Sequence, residues 1–291
     1  MGGEGLAESG VQTLTSQAAL GPLLSRKYGR GEEQIDACPA HGESRPVRAL
    51  PLLLPLLLLA GSCRPAPPVP SQLILWAWER PEDLRFAGAS AEIAVQTGFV
   101  ELAGAGLKAR GRRFPLKSAQ PPSTAVVHVQ IDHEHPLEWS PLLRSRTSAA
   151  ILHYAAAVPA RRVQVDFEVR ASERAVLLEL LADVRRGLPS GTLLSMTALA
   201  SWCDTEGWLE RAPVDEIVPM VFRMTAGGDA LRKRLAEGGD FRNPRCRAAL
   251  GVATDQPIVR APPGRRVYMF NPSSWTAKDF DQARRRIEGW R

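Results

Sequence analysis

Val129-Gln130-Ile131-Asp132-His133-Glu134 is echoed downstream by Val163-Gln164-Val165-Asp166-Phe167-Glu168. Each stretch is a short apolar run that ends in Gln-x-Asp-x-Glu. Alternation by two puts the Gln, Asp and Glu of each stretch on one face of a strand. Working outward, apolar runs of the same kind occupy residues 73–78, 93–102, 125–131, 162–167, 192–199, 216–222, 248–253 and 266–270. Between them, residues 140–157 and 173–188 carry apolar side chains at helical spacing, with Leu177, Leu178, Leu181 and Val184 on one face of the second. Gly187 and Pro189 stop that helix, and residues 276–290 form a closing one that buries Phe280, Ala283 and Ile287. Strands alternating with helices mean parallel strands joined by crossovers. Eight of them between residues 71 and 291 predict an α/β fold, a compact (β/α)8 TIM-like barrel. Its second unit is irregular: residues 100–115 hold Gly104, Gly106 and Gly111 among alternating polar residues, so a hairpin or loop replaces a helix. A doubly wound open sheet is the alternative. It lacks the Gly-rich phosphate loop after the first strand that its nucleotide-binding version needs.

The composition of the 291 residues is that of a globular chain, 44% hydrophobic and 23% charged. It excludes wholesale disorder, a collagen-like repeat and a polytopic membrane protein. Formal net charge is +6, but the only lysines are Lys27, Lys108, Lys117, Lys233 and Lys278. Arg-rich basicity beside abundant Ala, Gly, Leu and Pro is the mark of a G+C-rich coding sequence. No basic cluster carries interleaved aromatics, so no nucleic-acid partner is expected.

Residues 1–46 show neither period and read as a non-native or disordered extension. Residues 47–63 then bring Arg48, a leucine run broken by Pro55, and Ala60-Gly61-Ser62-Cys63. A basic residue, a short apolar run and small residues before a break form a secretory signal, too short to span a bilayer. The last four residues resemble a bacterial lipobox, with Ala60 where Leu is commoner and Cys63 as the lipidation site. A signal beginning at Val47, read as an alternative start, predicts an exported, periplasmic or cell-envelope protein held to the membrane by lipid. The Pro-rich residues 64–70 are then a stiff tether, and residues 71–291 the barrel domain. With Cys38 removed and Cys63 lipidated, Cys203 and Cys246 remain in an oxidising compartment, and a disulfide between them is expected. No Cys/His spacing suggests zinc. The His133-x-His135 pair reads as a polar loop before it reads as a metal site. No cofactor is expected.

If the two echoing strands are neighbours about 4.8 Å apart, Asp132, Glu134, Asp166 and Glu168 converge at the barrel mouth. Like charges there raise at least one carboxyl pKa. Paired carboxylates of separated pKa are the equipment of glycoside hydrolysis, one a proton donor and one an anion. Two alternatives are ion pairing with Arg162, Arg170 or Arg223, and a divalent cation held by the oxygens. Trp76, Trp78, Trp202 and Trp275 fall at other strand ends, where flat aromatic faces suit pyranose rings. The competing reading for each is core filling. Gln164, Arg223 and Asn271 complete the candidate sugar contacts.

Five segments in order are similar to a bacterial domain-of-unknown-function family, numbered three thousand one hundred forty-two. They are Leu75-Trp76-Ala77-Trp78-Glu79-Arg80-Pro81, Val163 to Glu168, Ser195-Met196-Thr197-Ala198-Leu199-Ala200-Ser201-Trp202-Cys203, Val218-Pro219-Met220-Val221-Phe222-Arg223-Met224, and Tyr268-Met269-Phe270-Asn271-Pro272. The resemblance spans roughly residues 73 to 275 and implies a glycosidase-like barrel, often with a lipoprotein signal. More distantly, the chain resembles chitinase-like barrels, whose fourth strand ends Asp-x-Asp-x-Glu with the Glu as proton donor. Gln164-x-Asp166-x-Glu168 keeps the last two residues. Their sixth strand ends Met-x-Tyr-Asp, where this chain has Met220-x-Phe222-Arg223. The missing hydroxyl and carboxylate argue against an acetamido-assisted mechanism and against chitin as substrate. The resulting expectation is a glycoside hydrolase-like barrel with Glu168 as acid and Asp166 as its partner. Asp132 and Glu134 are candidate nucleophile, base or ligands, and a non-catalytic saccharide- or envelope-binding barrel is the alternative.

Overall fold

The structure is a computed structural model that describes residues 72–224, 228–257, 260 and 264–290. The expected extension, the signal with Cys63 and the tether lie outside the described residues. Eight parallel strands close into a barrel. They are β1 (Gln72–Ala77), β2 (Glu92–Ala103), β3 (Thr124–Ile131), β4 (Arg162–Phe167), β5 (Leu193–Leu199), β6 (Glu216–Met220), β7 (Ala249–Ala253) and β8 (Arg266–Phe270). Sequence neighbours pair throughout, and β1 closes the ring by pairing with both β8 and β2. The open-sheet alternative is therefore excluded.

The strands are buried on both faces because one face meets helices and the other fills the barrel. Leu73, Leu75, Val163, Val165, Phe167, Met196 and Val267 point outward into the main core. Ile74, Trp76, Ala94, Val126, Val218 and Tyr268 point inward. Among the described residues, helices α1 (Pro141–Ala155), α2 (Arg174–Gly187), a single turn α3 (Trp202–Thr205), α4 (Gly228–Ala236) and α5 (Ala277–Glu288) form the outer layer. Ser140 caps α1 by accepting from the Leu143 N–H, with Pro141 in its first turn. Thr276 and Asp279 make a capping box on α5, which buries the expected Phe280, Ala283 and Ile287. The buried face of α2 is Leu177, Leu180, Leu181 and Val184, so Leu180 replaces the expected Leu178.

The irregular second unit is a hairpin, with residues Gly106–Gly111 returning antiparallel along β2. The register of β2 against β3 also slips between Gln96 and Gly98. Such a bulge resets which side chains face inward, and beyond it Phe99 faces the barrel opposite His128. Gly98 has a packing reason as well. A Cβ there would lie 2.4 Å from Cβ of Tyr154 on α1.

Cys203 and Cys246 form a disulfide with Cα atoms 5.9 Å apart, joining α3 to the turn before β7. Both sulfurs are buried, and the Asn243 N–H donates to the Cys203 carbonyl at 3.0 Å alongside them. Closing a loop across a separation of 43 residues contributes about 4 kcal/mol in the chain-entropy model. The Cys203→Ala/Cys246→Ala variant is expected to lose a stability of that order in urea unfolding. A loss under about 1 kcal/mol would show that the bridge does little beyond what local packing already secures.

Candidate active site at the barrel mouth

All eight strands run the same way, so their C-terminal ends open at one mouth, where barrels of this kind place their chemistry. Position 164, 166 and 168 share the inward face of β4 and its continuation. Gln164 is fully buried at mid-barrel. Its Oε1 accepts from Trp76 Nε1 at 2.8 Å, and its Nε2 donates to Ser195 Oγ at 3.2 Å. Asp166 sits one layer higher, also fully buried. Register pairs it directly with His128 on β3, and His128 Nδ1 lies 2.6 Å from Asp166 Oδ2. Thr197 Oγ1, on β5, donates to Asp166 Oδ1 at 3.0 Å. A carboxylate can only accept, so His128 carries its proton on Nδ1.

Glu168 is the outermost of the three and is open to solvent. The concave mouth crowds its carboxyl, and the like charge of Asp166 adds to that. Together they push its pKa up to about 7, while His128 pulls weakly the other way. Because the side chain meets water, desolvation does not act on it at full strength. Asp166, which is buried and close, is the part of the cause fixed by geometry. Two of the three expected competitors are engaged elsewhere, Arg162 with Glu216 at 3.2 Å and Arg223 with Asp255 at 3.0 Å, and the third, Arg170, is exposed beyond β4.

Asp132 and Glu134 do not join this cluster. β3 and β4 align Thr124 with Arg162 and His128 with Asp166. The echoing motifs are thus offset by four residues, about 13 Å along the strand at 3.3 Å per residue. Asp132 instead forms a turn beyond β3. Its Oδ1 accepts from the Glu134 N–H at 3.0 Å and its Oδ2 meets His135 Nδ1 at 2.7 Å, contacts that hold its pKa low. Glu134 is exposed. His133 pairs with Glu173 across the same loop, and no group of three metal-ligating side chains gathers among the described residues.

The aromatic candidates divide. Trp76 is 1% exposed and plugs the barrel through Gln164. Trp275 is buried, donating from Nε1 to the Trp76 carbonyl at 3.0 Å. Trp202 packs edge-on against Trp208 in the outer layer. These three rings are core residues whose faces are taken by protein, which corrects the expectation of a stacking surface there. Asn271 is likewise buried, its side chain spent on Thr254 and on the Ser273 and Ser274 carbonyls. Trp78 remains at the mouth, edge-on to His128 and to Phe270. Arg223 is also there, its guanidinium 5.4 Å from the Phe270 centroid. It is the sole non-glycine with positive φ among the described residues, at 50°. The Gln256 side chain and Asp255 hold it in that conformation, strain of the kind that collects at functional sites.

Sequence reasoning missed His128, Thr197 and Phe99. The signal for His128 was present in the period-two face Thr124, Val126, His128, Gln130. Only the strand register turns it into a partner of Asp166. Comparison of the chain with family models, curated proteins and solved structures finds no match in any of the three.

Proposed function

We propose that the protein is an exported, lipid-anchored (β/α)8 barrel with glycoside hydrolase-like activity on a carbohydrate. The observation that carries this reading is Glu168, a carboxyl with a pKa of about 7 at a strand end directly above the buried Asp166–His128 pair. At neutral pH such a group is protonated in a large fraction of molecules and can give its proton to a glycosidic oxygen as the C–O bond breaks, with a solvent water adding to the anomeric carbon and its proton returning to the carboxylate or to bulk water. Asp166, oriented by His128 and Thr197, supplies a fixed negative charge near the positive charge that develops on the sugar. The acid must be protonated to act. The rate is therefore expected to be full at acidic to neutral pH and to fall as pH rises through about 7. A pH–rate profile on a disaccharide with an unactivated leaving group, after a hydrolysis screen, tests this. A flat profile from pH 6 to 9 would count against Glu168.

A second reading keeps the mouth and drops hydrolysis, as a saccharide- or envelope-binding barrel. It is favoured by the distance of Asp132 and Glu134 from the pair, which leaves Asp166 as the only candidate second carboxylate of the four. Export and the lipid anchor rest on Ala60-Gly61-Ser62-Cys63, and the buried disulfide agrees with an oxidising compartment. Intact mass from the native host should show a chain beginning at Cys63 with a diacylglycerol thioether. An unmodified chain would remove the anchor from this proposal.

A further inference from the structure

Two ring nitrogens at the mouth, His128 Nε2 and Trp78 Nε1, are buried and have no hydrogen-bond partner. They belong to one cluster, with the two rings edge-on and their centroids 6.2 Å apart. Buried polar atoms are nearly always satisfied, and each exception asks for a reason. Here the two atoms are complementary. Asp166 accepts from Nδ1 of His128, so on the neutral ring Nε2 is an acceptor, whereas an indole nitrogen can only donate. An acceptor and a donor on adjacent aromatic rings suit the hydroxyls of a sugar, each of which donates and accepts. Phe99 stacks on the face of His128 at 5.2 Å and is only half-buried. It stands just past the bulge in β2, where the strand is least regular.

Charge narrows the class. Among the described residues Glu168 makes no ion pair, and Asp166 lies beneath it. The guanidiniums nearest the mouth rings are already engaged, Arg80 with Glu82, Arg110 with Glu79 and Arg223 with Asp255. An anionic sugar would meet the Glu168 carboxyl while these three guanidiniums are already held by other carboxylates. We infer that His128 Nε2 and Trp78 Nε1 form a hydroxyl-binding subsite for a neutral saccharide. This inference rests on the carbohydrate part of the reading above and is independent of hydrolysis.

The test is calorimetric binding to the full chain with Glu168 in place, since its charge is what should reject the uronate, and each probe is recovered and checked for cleavage. The probes are cellotetraose, maltotetraose and xylotetraose against tetragalacturonate. At least one neutral probe is expected to bind and the uronate not to. His128→Asn keeps a donor toward Asp166 and removes the Nε2 acceptor, and Trp78→Phe removes only the N–H. Each is expected to weaken binding about tenfold, the worth of leaving one hydrogen bond unmade. In the chain with both side chains intact, the 15N resonance of His128 Nε2 should move on saturation, a readout that survives if His128→Asn fails to fold. Tighter binding of the uronate, unchanged affinity in both variants, a stationary His128 resonance, or no neutral probe bound would each overturn the inference. Binding that persists while no hydrolysis is ever seen would leave it standing and remove only the acid role of Glu168.

Discussion

Glu168→Gln is expected to cut hydrolysis of a glycoside with a poor leaving group by about 10²-fold or more, with unfolding temperature unchanged. The variant keeps the size and hydrogen-bonding capacity of the side chain and removes only the transferable proton. Glu168 lies beyond the end of β4, open to water and with no side-chain hydrogen bond among the described residues, so its loss leaves no buried partner there. That separates chemistry from folding more cleanly than any change at Asp166, whose oxygens hold His128 and Thr197. The size of the loss should depend on the leaving group. A good leaving group departs without a proton, so a nitrophenyl glycoside should lose less than a natural disaccharide. Equal turnover of the disaccharide by both proteins would show that Glu168 is not the acid and would favour the binding reading. The alkaline limb near pH 7 should vanish in the same variant, because the group that produces it is gone.

Much of the barrel was legible because its period is local. Runs such as residues 162–167 and 266–270 coincide with β4 and β8, and the Gly104–Gly111 stretch announced the hairpin. Which side chains meet across strands is a different kind of information. The echo at Asp132 and Asp166 looked like one layer, yet barrel closure staggers neighbouring strands, and the true partner of Asp166 is His128. A stagger of four residues keeps every side chain on its expected face, so alternation alone cannot detect it. The tryptophans failed for a related reason. A strand-end Trp fits either a sugar or an empty barrel interior, and the small Gly251, 3.0 Å from Trp76 for an added Cβ, decides for the interior in that case.

The lower half of the barrel carries the largest expected effect on stability, at Glu216. This carboxylate is 3% exposed and meets four partners: Arg162 at 3.2 Å, Ser195 Oγ at 2.9 Å, the Tyr268 hydroxyl at 2.8 Å, and Arg266. Burial alone would raise its pKa, but the two guanidiniums and the Tyr268 donor more than offset that, and it is held low. Glu216→Gln keeps the shape and leaves Arg162 charged and buried without its counter-charge, which costs about 3–5 kcal/mol. In a domain of this size that is a fall of roughly 10 °C in unfolding temperature. Replacing Arg162, Glu216 and Arg266 together by apolar side chains should cost less than this single change, since no charge is then stranded. The pH dependence has a definite sign. A carboxyl with a depressed folded pKa contributes stability above its unfolded value, about 4.3, and loses it as pH falls through the folded value. The parent protein should therefore lose stability on acidification below about pH 4 more steeply than Glu216→Gln. A difference under about 1 kcal/mol at neutral pH in urea unfolding would mean that water or a relaxed Arg162 replaces the missing charge, and that the barrel floor is held by Trp76, Ile74 and Tyr268 packing instead.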